Sequence, residues 1–242
     1  MRIGESGRAP IAMPADRVVP GRCAQPLLYQ SVPQARPSQT VIPNRQPPKL
    51  GRRAHQQMPP PVAVISDMDQ TLIPAHDGDL IPKPFSGAPQ LLAALDQRAG
   101  PKQQNIFYVT ARDADSAAPL PNWVEKHGLP KERVESGGGP SRDAATAGKL
   151  EDICAIIESQ PHRKFILLGD SSHVDAEVYR EIALRYPTQI EASFIHDVET
   201  ISPDRAQGHF VFTNYGQIAT ELRNKGLLSN QAWAQVVKES ST

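Results

Sequence analysis

From Val62 onward the chain alternates two apolar patterns. Short unbroken runs occur at Val62-Ala63-Val64-Ile65, Ile106-Phe107-Tyr108-Val109, Phe165-Ile166-Leu167-Leu168 and Ala192-Ser193-Phe194-Ile195. Such β-branched or aromatic runs predict strands buried on both faces. Between them, apolar residues recur every three or four positions: Leu91, Leu92 and Leu95; Leu150, Ile153, Ile156 and Ile157; Val174, Val178, Tyr179, Ile182 and Tyr186; Ile218 and Leu222. That period predicts amphipathic helices over about 89–98, from Asp143 or Thr146 to Glu158, from about Val174 to Tyr186, and ahead of Gly226, which reads as a C-terminal cap. Pro89 suits a first helical turn, and Gly100-Pro101 ends that helix. A short helix at about 122–127, closed by Gly128, a short strand at Arg133-Val134-Glu135-Ser136, a flexible turn at Gly137-Gly138-Gly139-Pro140 and a short apolar run at Phe210-Val211-Phe212 complete the pattern. Strands alternating with helices at this spacing predict an α/β fold of three layers around a mostly parallel sheet.

Residues 1–61 break the pattern. They hold 12 of the 24 prolines and nine basic residues against Glu5 and Asp16, so this segment carries about +7 and the remainder about −7. With one aromatic residue, Tyr29, and no sustained apolar period, the segment is expected to be a disordered, Pro-rich basic tail. The expected division is therefore a tail over 1–61 and one folded domain over 62–242. No apolar run approaches the roughly 18–20 residues that cross a bilayer, and the N-terminus lacks the apolar core of a secretory signal. The expected location is cytoplasmic, or exported without a conventional signal peptide. Two cysteines, Cys23 and Cys154, make no disulfide framework. Whole-chain charge is balanced at 26 basic and 26 acidic residues, and no nucleic-acid partner is expected. Oligomeric state is left open.

Candidate chemistry sits where strands end. Asp67 and Asp69 follow the first run and, two residues apart, point to the same side. In an open α/β sheet they emerge into the ligand crevice at the carboxyl edge. Two close carboxylates repel each other unless a cation joins them, and a hard, oxygen-seeking ion such as Mg²⁺ answers that need. Thr110 ends the second run, Lys149 lies near the start of a helix, and Asp170, with Asp175 five residues on, ends the Phe165 run. A parallel sheet brings all these strand ends to one edge. Lys164 is the rival lysine, but it opens a strand far from that edge. Arg112 is a candidate either to contact a substrate phosphate or to pair with a nearby acid. His173 reads as a solvent-facing loop residue.

The order Asp67-Met68-Asp69-Gln70-Thr71, Thr110, Lys149, and Gly169-Asp170 with Asp175 resembles the haloacid dehalogenase (HAD) superfamily of phosphohydrolases. A finer similarity runs through Lys164 to Tyr179, Ile182-Ala183, Arg185-Tyr186-Pro187, Phe194 to Val198 and Tyr215 to Leu227. That stretch looks like the actin-patch-type phosphatidate phosphatase catalytic domain, most closely over about 149–227. In the first half, Thr110-Ala111-Arg112 stands in place of a Ser-rich segment.

The resemblance implies a Rossmann-like HAD core and a Mg²⁺-dependent phosphomonoesterase. Asp67 would be the nucleophile, forming an aspartyl-phosphate, and Asp69 would protonate the leaving oxygen and then activate water. Asp67, Asp69 through its backbone carbonyl, Asp170 and Asp175 would form the metal site. Thr110, Arg112 and Lys149 would bind the phosphoryl group, and Lys149 would also offset charge. Only about 40 residues separate Asp69 from Thr110, and about 38 separate Thr110 from Lys149. The expected cap is therefore minimal and the site open, which suits a phosphorylated substrate as bulky as a membrane lipid of the phosphatidate kind. The competing readings are a phosphatase of phosphoproteins or small phosphometabolites on the same residues, and a catalytically idle binding domain.

Overall fold

The computed structural model describes residues 62–75, 81–98, 103–139 and 141–241. The expected tail over 1–61 lies outside the described residues, as do Gly78, Gly100-Pro101 and Pro140. Six strands form one sheet: β1 (Ala63–Ser66), β2 (Ile106–Thr110), β3 (Val134–Ser136), β4 (Phe165–Asp170), β5 (Ile190–His196) and β6 (Phe210–Phe212). Their order is β3-β2-β1-β4-β5-β6, and every neighbouring pair is parallel. The chain winds outward one way from β1 to β3, then returns to β4 and winds the other way. That reversal places the topological switch point between β1 and β4, where open sheets bind ligands at the strands' carboxyl ends.

The central strands are apolar throughout because each face is covered by helices. On one side Val62, Val64, Tyr108, Ile166, Leu168 and Phe194 pack against α1 (Ala88–Gln97), α3 (Leu120–Lys126), α7 (Tyr215–Asn224) and α8 (Asn230–Glu239). On the other, Ala63, Ile65, Phe107, Val109, Leu167 and Ile195 pack against α4 (Arg142–Glu158) and α5 (Asp175–Arg185). Each strand thus sends alternate residues to opposite cores. Burying a Leu or Ile on either face contributes roughly 1.5–3 kcal/mol.

Pro89 does lie in the first turn of α1. Gly226 follows α7 with a φ of 72°, and Leu227 N–H closes on Leu222 C=O at 2.8 Å, as a C-terminal cap requires. Three helices are absent from the sequence-based expectation. The short α2 (Ala114–Ala117) is capped by Asp113, which accepts from Ser116 N–H, and α6 (Pro203–Ala206) is a single turn. The third, α8, carries Ala232, Trp233 and Val236 at helical spacing; Val236 is fully buried, and Ala232 and Trp233 pack half-buried against the core. It rests on α7, the helix just before it in the chain, and on α1, which is distant in sequence. Between β1 and α4 the described residues contain only core helices and strands and no inserted lid domain.

Asp152 of α4 is a polar mismatch. Its Oδ2 is buried without a partner, and burial first, then Glu135 and Glu151, pushes its pKa up to about 6. The folded state therefore binds this proton more tightly than the unfolded chain. The resulting stability is complete below about pH 4 and is lost as pH rises through about 6. Asp152→Asn is expected to raise the melting temperature near neutral pH by about 2–4 °C, corresponding to about 1 kcal/mol after solvent screening of this half-exposed group. Thermal denaturation at about pH 7.5 and about pH 4 checks this, with the gain vanishing at the lower value.

Candidate active site

The sequence-predicted acids converge at the switch point. Asp67 leaves β1 still tied to the sheet, its N–H donating to Leu168 C=O at 2.8 Å. Its side chain turns toward α4, where Lys149 projects into the interior. Lys149 Nζ donates to Asp67 Oδ1 at 2.7 Å and also to Asp175 Oδ1. Thr71 Oγ1 donates to the other Asp67 oxygen at 2.9 Å. Asp175 opens α5, and its Oδ2 accepts the Asp170 N–H at 3.1 Å. Asp170, ending β4, accepts at Oδ1 from the Ser172 N–H at 2.6 Å, from the Ser172 hydroxyl, and from the His173 N–H at 3.3 Å. Asp67, Lys149, Asp170 and Asp175 are all at most 3% exposed.

This packing depends on two glycines. A Cβ on Gly169 would lie 2.5 Å from Asp175 Oδ2 and 2.7 Å from Tyr179, so only glycine lets α5 bring its acid against β4. A Cβ on Gly138 would lie 1.8 Å from Ala111 O, so the Gly137-Gly138-Gly139 turn is shaped by close backbone contact beside the site.

The cluster is short of positive charge. Three buried carboxylates face one buried ammonium, a formal −2. Burial, reinforced by the neighbouring acids and opposed by Lys149, pushes the Asp67 carboxyl well above its ordinary range, and burial pushes Asp175 up as well. Burial lowers Lys149, but Asp175 and Asp67 outweigh it and hold the ammonium protonated. Oxygens of Asp67, Asp170 and Asp175 lie within 4.8 Å of one another, and Asp170 Oδ2 is buried with no hydrogen-bond partner. An all-oxygen set with a formal −2 and an open acceptor fits a hard divalent cation.

Asp69 lies half-buried at the edge. Arg112 grips it with both arms of its fork: Nε to Oδ2 at 2.7 Å and Nη2 to Oδ1 at 2.5 Å. Of the two alternatives for Arg112, pairing with an acid is the one present in this state. Thr110 is fully buried at the end of β2 and accepts the Arg112 N–H at 3.2 Å, which leaves its hydroxyl hydrogen available. Lys164, the rival lysine, sits at the opposite strand end, half-exposed and 3.8 Å from Glu191. His173 is largely exposed, with its ring 3.6 Å from Asp170.

A cleft of about 510 Å³ opens over these groups, with Asp67, Asp69, Arg112, Lys149 and Arg142 among its lining. Two others of about 430 and 490 Å³ lie at α1–α8 and along β6, α7 and α8, away from the carboxylates. Sequence reasoning missed Ser172, the part played by Thr71, and Arg142 at the rim. Arg142 carried a signal: a cation in the first turn of a helix opposes the helix dipole. Its guanidinium reaches Glu177 at 3.2 Å instead.

The fold and site define a HAD-like α/β domain with a buried acidic cluster at its switch point. The family model for "Phosphatidate phosphatase APP1, catalytic domain" matches residues 62–197, and the chain belongs to this family of phosphatase catalytic domains. The match takes in the first half of the domain as well as the second. Among curated proteins, Phosphatidate phosphatase APP1 of Saccharomyces cerevisiae (strain ATCC 204508 / S288c) is 45% identical over 47 residues, which is 19% of this chain and 8% of that protein. No solved structure matches the chain. Among the described residues, no helix is long and apolar enough to cross a membrane.

Removing one partner from a buried ion pair costs about 3–5 kcal/mol, whereas an exposed pair is worth about 0–1. Lys149→Met is expected to lower stability by the larger amount and Lys164→Met by the smaller, as measured by urea denaturation of the two variants.

Proposed function

We propose that the chain is a Mg²⁺-dependent phosphomonoester hydrolase working through an aspartyl-phosphate on Asp67, with a phosphatidate-like lipid as substrate. The observation that carries this reading is the buried Asp67–Lys149–Asp175 chain beside the unpartnered Asp170 oxygen. Family membership supports the reaction class.

In this reading Asp67, Asp170 and the Asp69 backbone carbonyl hold the cation, with Asp175 completing the acidic set. Bound there, Mg²⁺ supplies charge neutralisation at the phosphoryl oxygens. An Asp67 oxygen attacks phosphorus as the bond to the leaving oxygen breaks, and Asp69 passes its proton to that oxygen. Water then attacks phosphorus and gives a proton to Asp69, and the bond to Asp67 breaks, releasing phosphate. Lys149 holds Asp67 in place and offsets its charge. Thr110 donates its free hydroxyl hydrogen to the phosphoryl group. Arg112 transfers its fork from Asp69 to the incoming phosphate, whose planar pairs of oxygens it matches as well as it does a carboxylate. That transfer leaves Asp69 free to face the leaving oxygen.

The lipid reading is supported by the family and by the open cleft, which has no lid among the described residues. Residues 62–242 form the hydrolase unit, and 1–61 are dispensable for the chemistry.

Phosphate release from phosphatidate in mixed micelles, phosphopeptides and sugar phosphates tests the reading. The expected result is activity on phosphatidate only, abolished in Asp67→Asn and by EDTA, and restored by Mg²⁺. Activity on another class would keep the mechanism and discard the lipid, whereas full activity in Asp67→Asn would discard the nucleophile. Asp69→Asn is expected to slow turnover by about 10²–10⁴-fold. Arg112→Ala is expected to raise KM at least about tenfold, because a charge-assisted hydrogen bond is worth about 1.5–3 kcal/mol. Removing residues 1–61 should leave hydrolysis of a soluble phosphomonoester unchanged.

A further inference from the structure

We infer that His196 and Tyr215 are positioning residues that clamp the turn carrying Asp69. This rests on the proposed role of Asp69. Immediately after Asp69 the backbone turns through Gln70 at a φ of 56°, the one left-handed non-glycine among the described residues. For an L-residue that conformation costs roughly 1–2 kcal/mol, so neighbours must enforce it. The turn closes locally through Gln70 N–H to Ile73 C=O at 2.7 Å and Leu72 N–H to Met68 C=O at 2.8 Å.

Two side chains from the far end of the chain hold its outward carbonyls. His196 Nδ1 lies 2.8 Å from Gln70 O, and a carbonyl only accepts, so Nδ1 carries the hydrogen. Tyr215 Oη donates to Thr71 O at 2.7 Å. Both side chains are buried, and they share one aromatic stack. His196 lies flat on Phe212 at 4.7 Å, Phe85 meets its edge at 4.5 Å, and Phe212 and Tyr215 are 5.5 Å apart. Neither ring lines the cleft. Asp69 sits one residue before the first held carbonyl, and Thr71, the donor to Asp67, owns the second. The clamp therefore fixes the spacing of the two acids. Tyr215 lies beyond the residues that the family model matches.

The test uses the full chain with Tyr215→Phe, His196→Leu and His196→Asn; the Asn amide nitrogen falls close to the place of Nδ1. Hydrogen exchange reads the clamp directly. The backbone amides of 70–73 should exchange about fivefold to tenfold faster in Tyr215→Phe and His196→Leu, with β4 unchanged and His196→Asn near wild type, as the loss of one hydrogen bond predicts. Turnover reads its purpose. In the same two variants, kcat should fall about fivefold to tenfold on an alkyl phosphate, whose leaving oxygen needs a proton, and little on p-nitrophenyl phosphate, with KM held. Asp69→Asn provides the reference for that split. Unchanged exchange overturns the clamp. Faster exchange with equal losses on both esters overturns its service to Asp69. If Asp69→Asn itself does not separate the two esters, the proposed role of Asp69 fails, and the clamp is then judged on exchange alone.

Discussion

The constraint on which the rest of the site depends is the burial of three carboxylates around one lysine. Isolated ions cannot leave water without partners, so each oxygen in the cluster has to be met. Lys149 meets two, Thr71 one, the Asp170 N–H one, and the loop after β4 meets Asp170 Oδ1. What remains is Asp170 Oδ2 and an excess of negative charge, both on the side where a cation fits. Much of the local backbone follows from this accounting. Gly169 lets α5 approach β4, and Ser172 follows Asp170 so that its N–H and hydroxyl both serve that carboxylate.

The sheet order decides where the cluster forms. Because β1 and β4 are neighbours at the reversal of winding, Asp67 and Asp170 end adjacent strands although 103 positions apart in sequence. Neighbouring strands lie about 4.7–4.9 Å apart, which is the separation that lets two carboxylates share one ion. Helices α4 and α5 cover the same face of the sheet and supply Lys149 and Asp175 from that side. Arg112 and Asp69 form a separate neutral pair at the rim, so the buried carboxylates and the rim acid are held by different cations.

The fold was legible because its signals are local. Unbroken runs such as Val62–Ile65 and Phe165–Leu168 read as doubly covered strands, and the Leu91, Leu92 and Leu95 face read as a helix. The helix α8 was equally legible, since Ala232, Trp233 and Val236 recur at helical spacing, and it was missed rather than hidden. Within the site, Asp67, Asp69, Asp170 and Asp175 were found by their places after strands and at a helix start. Ser172 and the aromatic pair His196 and Tyr215 were not, because a serine in a loop and a ring in an apolar run look ordinary until their distant partners are known.

By itself the sequence determined the element types, the α/β class, the acids at the strand ends and the family resemblance, since each follows from period, punctuation or residue order within a few positions. Tertiary structure alone decided that Lys149 rather than Lys164 enters the carboxylate cluster, that Arg112 closes on Asp69, and that Gln70 and Thr71 are held by His196 and Tyr215. Those choices depend on which side chains the folded sheet and helices bring within about 3 Å of each other, the range of a hydrogen bond. No local pattern encodes a distance between residues tens to more than a hundred positions apart.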